Sequence, residues 1–217
     1  MKVALIGATG FVGAHVLTEL INRGHEVTVI VRDPSKITNT SNQIHVIKGD
    51  IFDTEELAEN FKGLDAVVSA YNPGWTNPEI YSDSLKGFGS IQEATKISGV
   101  KRFITVGGAG SLEIAPGLQL VDTPDFPEDY KPGATAARDY LNILKKETAL
   151  DWTFVSPAIE MHPGTAGVRR GTYRTALENP VFDENGRSIL SVEDLAVAIV
   201  DELEQPKFIK KRFTAAY

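Results

Sequence analysis

Three glycines near the start of the chain constrain its fold more than any other feature. Gly7, Gly10 and Gly13 directly follow the apolar run Val3–Ile6, and apolar residues at helical spacing come after them. In a strand–turn–helix of this kind, the first glycine permits the tight turn and the second lets the backbone approach a pyrophosphate. The third lets the helix pack close to the strand. The pattern predicts a parallel α/β sheet with a dinucleotide at the start of its first helix.

The residues around these glycines are expected to supply backbone amides. Thr9, Phe11 and Val12 lie at the predicted helix N-terminus. There, free N–H groups and the positive end of the helix dipole attract an anion. We therefore expect these three residues and the three glycines to hold the pyrophosphate together.

Apolar runs alternate with stretches of helical spacing along the whole chain. The short β-branched runs predict buried parallel strands, and the stretches between them predict helices on both faces of the sheet. The predicted fold is a Rossmann-type α/β sheet, doubly wound and three-layered, in a single domain over residues 1–217 with a small C-terminal substrate lobe. We predict strands at residues 2–6, 26–31, 44–48, 65–70, 101–106, 152–156 and 212–215, and helices at 11–23, 53–62, 81–98, 134–148 and 191–203.

The same fold predicts where a ligand binds. In doubly wound sheets the ligand lies beyond the carboxyl ends of the strands, at the point where the strand order reverses. We expect a cleft there, closed by residues 71–78, 107–132 and 157–172. The second of these segments is rich in proline and glycine and reads as one long loop, which is usually functional.

Composition excludes several classes of protein. The chain has 217 residues, no cysteine and a formal charge of −7. An acidic chain lacks the broad positive surface that nucleic acid or anionic lipid requires, so neither is an expected partner. No cluster has metal-ligand spacing, and we predict no metal site. The absence of cysteine fits a cytoplasmic protein, and no apolar run is long enough for a membrane helix. A homo-oligomer is compatible with the sequence.

The end of the second predicted strand carries a clue to the type of dinucleotide. A carboxylate at this point bonds the ribose 2′-hydroxyl of NAD, whereas an arginine suits the 2′-phosphate of NADP. Arg32 is the first residue past the strand, and Lys36 follows one turn later. Asp33 is the competing signal, although before Pro34 it also fits the cap of a short helix. We predict NADP, with NAD as the alternative cofactor; the other interpretation is that Arg32 and Lys36 form a solvated surface.

Other strand ends offer further contacts to the cofactor. Asp50 and Ile51 follow the third strand and would hold the adenine, unless Asp50 only caps a turn. Small residues near Ala70 and Tyr71 would allow the nicotinamide ribose to come close. The run that begins with Gly107 and Gly108 reads as the floor of the substrate site.

Candidates for contact with the substrate lie on the same predicted edge. Ser111, Tyr130 and His162 are the candidate catalytic residues, expected to orient an acceptor molecule. A structural role as a turn cap fits Ser111 equally well, and a loop histidine bonded to backbone is the alternative for His162. Trp75, with Tyr71, could stack on an aromatic acceptor.

These motifs together resemble a known family. The chain resembles the atypical short-chain dehydrogenase/reductases, and within them the NADH–flavin reductase group related to biliverdin-IXβ/flavin reductase and to NmrA-like proteins. The resemblance covers essentially the whole chain and implies a Rossmann fold that binds NAD(P). It is carried by residues 7–13, 32–34, 49–50, 107–111, 120–124, 151–157 and 191–194.

The sequence departs from ordinary short-chain dehydrogenases at one point. Those enzymes use Tyr-x-x-x-Lys, in which the lysine lowers the pKa of the tyrosine. Here Tyr130 is followed four residues later by Ala134, and Tyr140 by Leu144. Hydride transfer from NAD(P)H to a small flavin-like or quinone-like acceptor needs no such pair, because the acceptor is already electrophilic. A non-enzymatic, NADP-sensing regulator of the NmrA-like kind is the alternative, and a sugar-nucleotide epimerase fits less well.

Overall fold

The computed structural model describes residues 1–217 and contains ten strands and five α-helices. The helices are α1 (Phe11–Asn22), α2 (Thr54–Phe61), α3 (Ile80–Ser98), α4 (Lys131–Leu144) and α5 (Val192–Glu204). The strands are β1 (Lys2–Ile6), β2 (Glu26–Val31), β3 (Ile44–Lys48), β4 (Ala66–Ser69), β5 (Arg102–Val106), β6 (Glu113–Ala115), β7 (Leu118–Gln119), β8 (Asp151–Ser156), β9 (Arg174–Ala176) and β10 (Lys211–Ala216).

Eight of the strands form one sheet in the order β3-β2-β1-β4-β5-β8-β10-β9. All neighbours pair in parallel except β9, which runs antiparallel to β10 at the edge. The order reverses between β1 and β4, which pair from Val3 with Ala66 to Ile6 with Ser69. This is the predicted doubly wound Rossmann-type sheet, and β1 and β4 flank its switch point. That the whole chain forms a single domain stays a prediction.

Alternation along the strands builds a hydrophobic core on each face of the sheet. In β1, Val3 and Leu5 belong to the core under α1 and α5, while Ala4 and Ile6 belong to the core under α2, α3 and α4. Successive strand residues point to opposite faces, so a strand covered on both sides must be apolar throughout. The resulting three layers bury the sheet and leave the carboxyl ends of the strands as the place for a ligand.

Most predicted elements are present within one or two residues of their predicted bounds. The helix predicted at 134–148 is the exception, because α4 begins at Lys131 and ends at Leu144. Pro132 lies in its first turn. Proline is tolerated there, since the first amides of a helix have no partner within it. The predicted start at residue 134 was therefore three residues late.

Two further segments differ from the prediction. Residues 107–132 are not one loop: they contain the hairpin β6–β7 and three short 3₁₀ turns. The expected C-terminal lobe corresponds to the irregular segment between β8 and α5, whose strand β9 extends the main sheet. Within it, residues 163–173, here called the strap, lie against α1 and α5 through a pair between Arg169 and Glu19 and through amides that donate to Asp194. None of the five helices has the length and apolar character needed to cross a membrane.

Candidate functional site

The glycine turn joins β1, α1 and the end of β4 through backbone contacts. Gly7 has a φ of +81°, in the left-handed region that favours glycine. A Cβ on Gly7 would lie 2.4 Å from the carbonyl oxygen of Ala70, and one on Gly13 would lie 2.0 Å from the carbonyl oxygen of Gly7. The Gly10 amide donates to the same Gly7 oxygen at 2.9 Å. A side chain at Gly7 or Gly13 would push these elements apart, so the turn requires glycine at both positions.

The first turn of α1 is left open to a ligand. Gly10 is its N-cap, no side chain caps it, and it contains no acidic residue. By contrast, α2 is capped by Asp53, whose carboxylate accepts from the Glu56 amide at 3.0 Å. The uncapped amides of α1 follow the exposed residue Thr9. An uncapped helix start beside a glycine turn is suited to an anion, and the residues present therefore fit the pyrophosphate of a dinucleotide.

Arg32 is exposed at the end of β2 and has no partner. The other eight arginines of the chain each make an ion pair, a hydrogen bond or an aromatic contact. A free guanidinium offers five donors in a fixed fork that matches a phosphate. Arg32 is therefore available to a ligand in a way that no other arginine of the chain is.

The competing carboxylate, Asp33, is engaged locally. It caps a 3₁₀ turn at residues 34–36 and accepts from the amide of Ser35 at 3.1 Å and from its hydroxyl at 2.7 Å. These bonds, the one from the hydroxyl first, lower the pKa of the Asp33 carboxyl. The predicted capping alternative for Asp33 is confirmed. Lys36 ends the same turn, is exposed and makes no ion pair.

A shallow depression of about 400 Å³ lies between the ends of β2 and β3 and the start of α2. Asp50 lies in it, and one of its carboxylate oxygens accepts from the Phe52 amide at 3.0 Å. The turn-capping role is therefore real, while the second oxygen of Asp50 stays free. Lys48 and Glu56 also line the depression, and sequence reasoning missed both. The depression is lined by Arg32, Lys48, Gly49, Asp50 and Glu56.

Tyr71 is half-buried where β4 ends. Its hydroxyl donates to the Asp83 carbonyl at 3.2 Å, and its ring meets Phe88 edge to face. Burial raises the pKa of its phenol to about 12. A Cβ on Gly87 would lie 2.2 Å from the Tyr71 ring and 3.0 Å from Ile51. Tyr71 and Ile51 thus pack together on α3, and the Tyr71 hydroxyl is engaged and not free for a ligand.

Gly107 and Gly108 extend β5 at the same edge. The Gly107 amide donates to the Val155 carbonyl at 2.9 Å, and a Cβ on Gly107 would lie 1.8 Å from the Phe154 ring. Gly108 lies beside Ala137 of α4. Because these two residues have no side chains, the backbone after β5 can pass close to Phe154, and no side chain projects from them into the space beyond the strand end.

Ser111 is placed in the interior, contrary to the expectation that it orients an acceptor. It is 1% exposed, and its hydroxyl accepts from the buried guanidinium of Arg212 at 3.1 Å. Arg212 in turn pairs with Glu178. A buried arginine requires such partners, and Ser111 serves as one of them. Its role is structural, because its hydroxyl is buried on Arg212 and does not face the cleft.

Trp75 and Tyr130 are brought together beside the start of α4. Their rings meet edge to face with centroids 5.2 Å apart, and the side chains are 54% and 51% exposed. A Cβ on Gly133 would lie 2.8 Å from the Trp75 ring, so the indole rests on the first turn of α4. Two large aromatic rings that stay half exposed form an apolar surface for a flat molecule.

His162 follows β8 and bonds to backbone. Its Nδ1 accepts from the Gly164 amide at 3.1 Å, as part of a cap on the turn at residues 163–165. The predicted alternative of a loop histidine bonded to backbone is therefore the observed one. Because Nδ1 accepts, the neutral ring carries its proton on Nε2, which is not engaged.

No tyrosine of this edge has a lysine in the position that a short-chain dehydrogenase requires. Tyr140 is buried against Phe88 with its hydroxyl unpartnered, and burial strongly raises the pKa of that phenol. Tyr130 ends the turn Glu128–Tyr130, and the position four residues later is Ala134 and not lysine. The edge can therefore hold and orient a molecule, but it offers no activated phenol as acid or base.

Comparison with known proteins gives consistent results. The sequence matches the NAD(P)H-binding family over residues 7–206. It is 38% identical over 216 residues to the uncharacterized protein YwnB of Bacillus subtilis, covering 99% of this chain and 97% of that protein.

Solved structures show the same similarity. A protein described as a "putative epimerase" from Bacteroides thetaiotaomicron superposes with a TM-score of 0.92 at 47% identity, covering 100% of this chain and 96% of that one. A "putative NADH-flavin reductase" from Streptococcus pneumoniae superposes with a TM-score of 0.86 at 39% identity, covering 100% and 99%. Both proteins share the fold of this chain, whereas the activities named in their descriptions differ.

Proposed function

The chain belongs to the NAD(P)H-binding family, and from this membership we propose that it is an NAD(P)H-dependent reductase with a flavin-like or quinone-like acceptor. The glycine turn is the observation that carries the proposal. Gly7 and Gly13 leave room only for backbone, and the first turn of α1 keeps its amides free. These groups would hold the pyrophosphate of the cofactor at the switch point of the sheet.

NADPH is the proposed preferred donor. Arg32 is unpartnered at the end of β2, whereas Asp33, the residue that would favour NAD, is engaged in capping a turn. A guanidinium binds a phosphate through two parallel hydrogen bonds, and it gains less from a ribose hydroxyl. Asp50 would accept from the adenine amino group with its free oxygen, while Ile51 would cover the ring.

The proposed chemistry asks little of the protein beyond binding and orientation. A bound reduced nicotinamide supplies a hydride. Gly107 and Gly108 have no side chains that would occupy the space for the acceptor. Trp75 and Tyr130 offer half-exposed aromatic rings on which a flat acceptor can stack. The edge has no tyrosine–lysine pair, so an acceptor that needs a protein acid is disfavoured. A conjugated acceptor takes its proton from solvent, and the free Nε2–H of His162 would at most orient it by donating a hydrogen bond.

A steady-state assay tests the proposal with FMN, FAD and quinones as acceptors. The oxidation of NADPH is measured as the decrease of its absorbance. We expect turnover with at least one of them, and a Trp75→Ala variant should raise KM for that acceptor without changing the Kd for NADPH. Tight NADPH binding without turnover of any acceptor would instead support an NADP-sensing regulator.

Arg32→Glu tests the choice of cofactor. It should weaken NADPH binding about a hundredfold, because it removes a charge-assisted phosphate contact and adds repulsion, and it should change NADH binding little. Calorimetry with both cofactors measures the two affinities. Equal losses for NADPH and NADH would contradict a 2′-phosphate contact. Lys101→Glu is the matched control, because Lys101 is an exposed, unpaired cation that precedes β5 at the opposite edge of the sheet.

A further inference from the structure

We infer that Lys48 is a second cation for the 2′-phosphate of NADP, and that Glu56 opposes it and limits the preference for NADP over NAD. The inference deepens the proposed function and rests on its choice of cofactor. It assigns cofactor selectivity to β3 and α2, in addition to the residue after β2. Neither Lys48 nor Glu56 stands out in the sequence, because both have the ordinary appearance of solvated surface residues.

The pairing of β2 with β3 places Lys48 beside Arg32. Lys48 is the last residue of β3 and lies opposite Val31, the last residue of β2. The following amide, of Gly49, donates to the Val31 carbonyl at 3.1 Å. The two strands therefore end side by side, and Arg32 directly follows Val31, the residue that pairs with Lys48. Arg32 and Lys48 line one depression of about 400 Å³.

Both cations are free to bind an anion. Neither Arg32 nor Lys48 makes an ion pair or a side-chain hydrogen bond, and both side chains are exposed. A planar guanidinium fixes the orientation of a phosphate, and an ammonium adds a mobile point charge with three donors. Lys36, the lysine suggested by sequence spacing, is also unpaired but does not line the depression. Lys48 is therefore the better placed of the two lysines.

Glu56 faces the same depression from the first exposed turn of α2. Its carboxylate has no ion-pair partner, and Asp50 contributes a second carboxylate whose one oxygen accepts from Phe52. Two cations thus face two carboxylates. A ligand that brings a dianionic phosphate gains from the cations and is repelled by Glu56, whereas a neutral ribose hydroxyl gains little from the cations and is not repelled by a carboxylate. The balance between Lys48 and Glu56 would set the ratio of the two affinities.

Calorimetric titration of NADPH and NADH against three single variants tests this assignment. Lys48→Gln should weaken NADPH about tenfold and leave NADH within about twofold, since one charge-assisted contact is lost. Glu56→Gln should tighten NADPH about threefold, and both effects should shrink at high salt. Lys36→Gln is the matched control and should change neither affinity by more than about twofold. The same ratios are expected with 2′,5′-ADP and 5′-AMP, which lack the nicotinamide.

Three results would overturn the inference. Lys48→Gln could weaken NADPH and NADH equally, Lys36→Gln could match its loss, or Glu56→Gln could leave NADPH unchanged. Since all three side chains are exposed, circular dichroism should show that the variants fold as the wild type does. If the wild-type protein bound neither cofactor, the proposed function would fall together with this inference. Tight wild-type binding of NADPH with no effect of Lys48→Gln would overturn the inference alone.

Discussion

Gly7 and Gly13 of the glycine turn have no space for a side chain. The carbonyl oxygen of Gly7 accepts from Gly10 and also occupies the space where a Gly13 side chain would begin. At eight of the nineteen glycines of the chain, by contrast, an added Cβ would meet nothing within 4 Å. Gly7 and Gly13 are distinguished because their Cβ atoms would lie under 3.0 Å from backbone atoms, which cannot move aside as a side chain can, and Gly7 in addition has a positive φ.

Gly13→Ala should destabilise the protein and weaken NADPH binding together. Its Cβ would lie 2.0 Å from a backbone oxygen, so α1 must move away from β1, at a cost of about 2 kcal/mol or more. Urea unfolding and calorimetry measure the two effects. Gly89→Ala is the control: Gly89 lies inside α3 with open space around it, so alanine should raise stability by up to about 1 kcal/mol. Unchanged cofactor binding in Gly13→Ala would contradict the role of the turn.

The roles of single residues were only partly predictable. The need for glycine at Gly13 and the capping role of Asp33 follow from local spacing, because their partners, Gly7 and Ser35, lie within a few positions along the chain. Ser111 does not: its partner Arg212 is 101 positions away. Nothing local distinguishes a serine that faces a cleft from one that satisfies a buried guanidinium. The same holds for Lys48, whose position beside Arg32 depends on the pairing of β2 with β3.

Among the secondary-structure elements, too, some could be predicted from local sequence and others depend on distant contacts. Strands β1, β2 and β3 have their predicted bounds. Apolar runs with four buried residues each give β1 and β2 a clear signal, whereas β3 is an edge strand without a buried residue, indicated by its β-branched residues alone. The hairpin β6–β7 and the strand β9 were missed. Each of these strands has three residues or fewer, and β9 exists only because β10 offers it an edge to pair with. Such elements depend on tertiary contacts that no short window of sequence contains.

The start of α2 provides a test at the scale of an element. Asp53→Ala should destabilise the protein by about 1 kcal/mol, because the Glu56 amide loses its acceptor. Asp53→Asn should restore most of the loss, since asparagine caps almost as well. Thermal unfolding with calorimetric detection distinguishes them. A similar loss for both variants would indicate that the charge of Asp53, and not its hydrogen bond, stabilises α2.

The attachment of the strap to α1 should depend on pH. Glu19 is 3% exposed, and hydrogen bonds from Arg169, and then Arg23, lower the pKa of its carboxyl. A carboxyl whose pKa is lower when folded stabilises the protein fully above its unfolded pKa of about 4.3, and the gain is lost as the pH falls through the folded value.

Glu19→Gln should therefore cost about 2 kcal/mol at pH 7, and this difference from the wild type should shrink progressively below about pH 4.3. Urea unfolding of both proteins from pH 7 to pH 3.5 measures it. A difference that stayed constant across this range would show that the ion pair does not couple to folding. Glu160→Gln is the control, because its partner Arg187 lies at the surface.

For the molecule as a whole, cofactor binding should appear as added stability. A ligand at a hundred times its Kd stabilises the folded state by about 2.7 kcal/mol, which for a chain of this size raises Tm by roughly 5–10 °C. NADPH should give the larger shift at equal concentration, and in Arg32→Glu its shift should fall to that of NADH. Differential scanning fluorimetry compares all four cases. Equal shifts in the wild type would contradict a preference for NADPH.

The reversal of strand order between β1 and β4 also has an evolutionary consequence. The residues proposed to select the coenzyme, Arg32, Lys48 and Glu56, come from the half of the sheet that contains β2 and β3. The aromatic pair Trp75 and Tyr130 comes from the half that begins with β4. Mutations that retune donor choice and those that admit a new oxidant would then occur in separate stretches of the gene. A relative could then change its coenzyme preference and keep its acceptor, or the reverse. In both cases the turn that binds the pyrophosphate would stay the same.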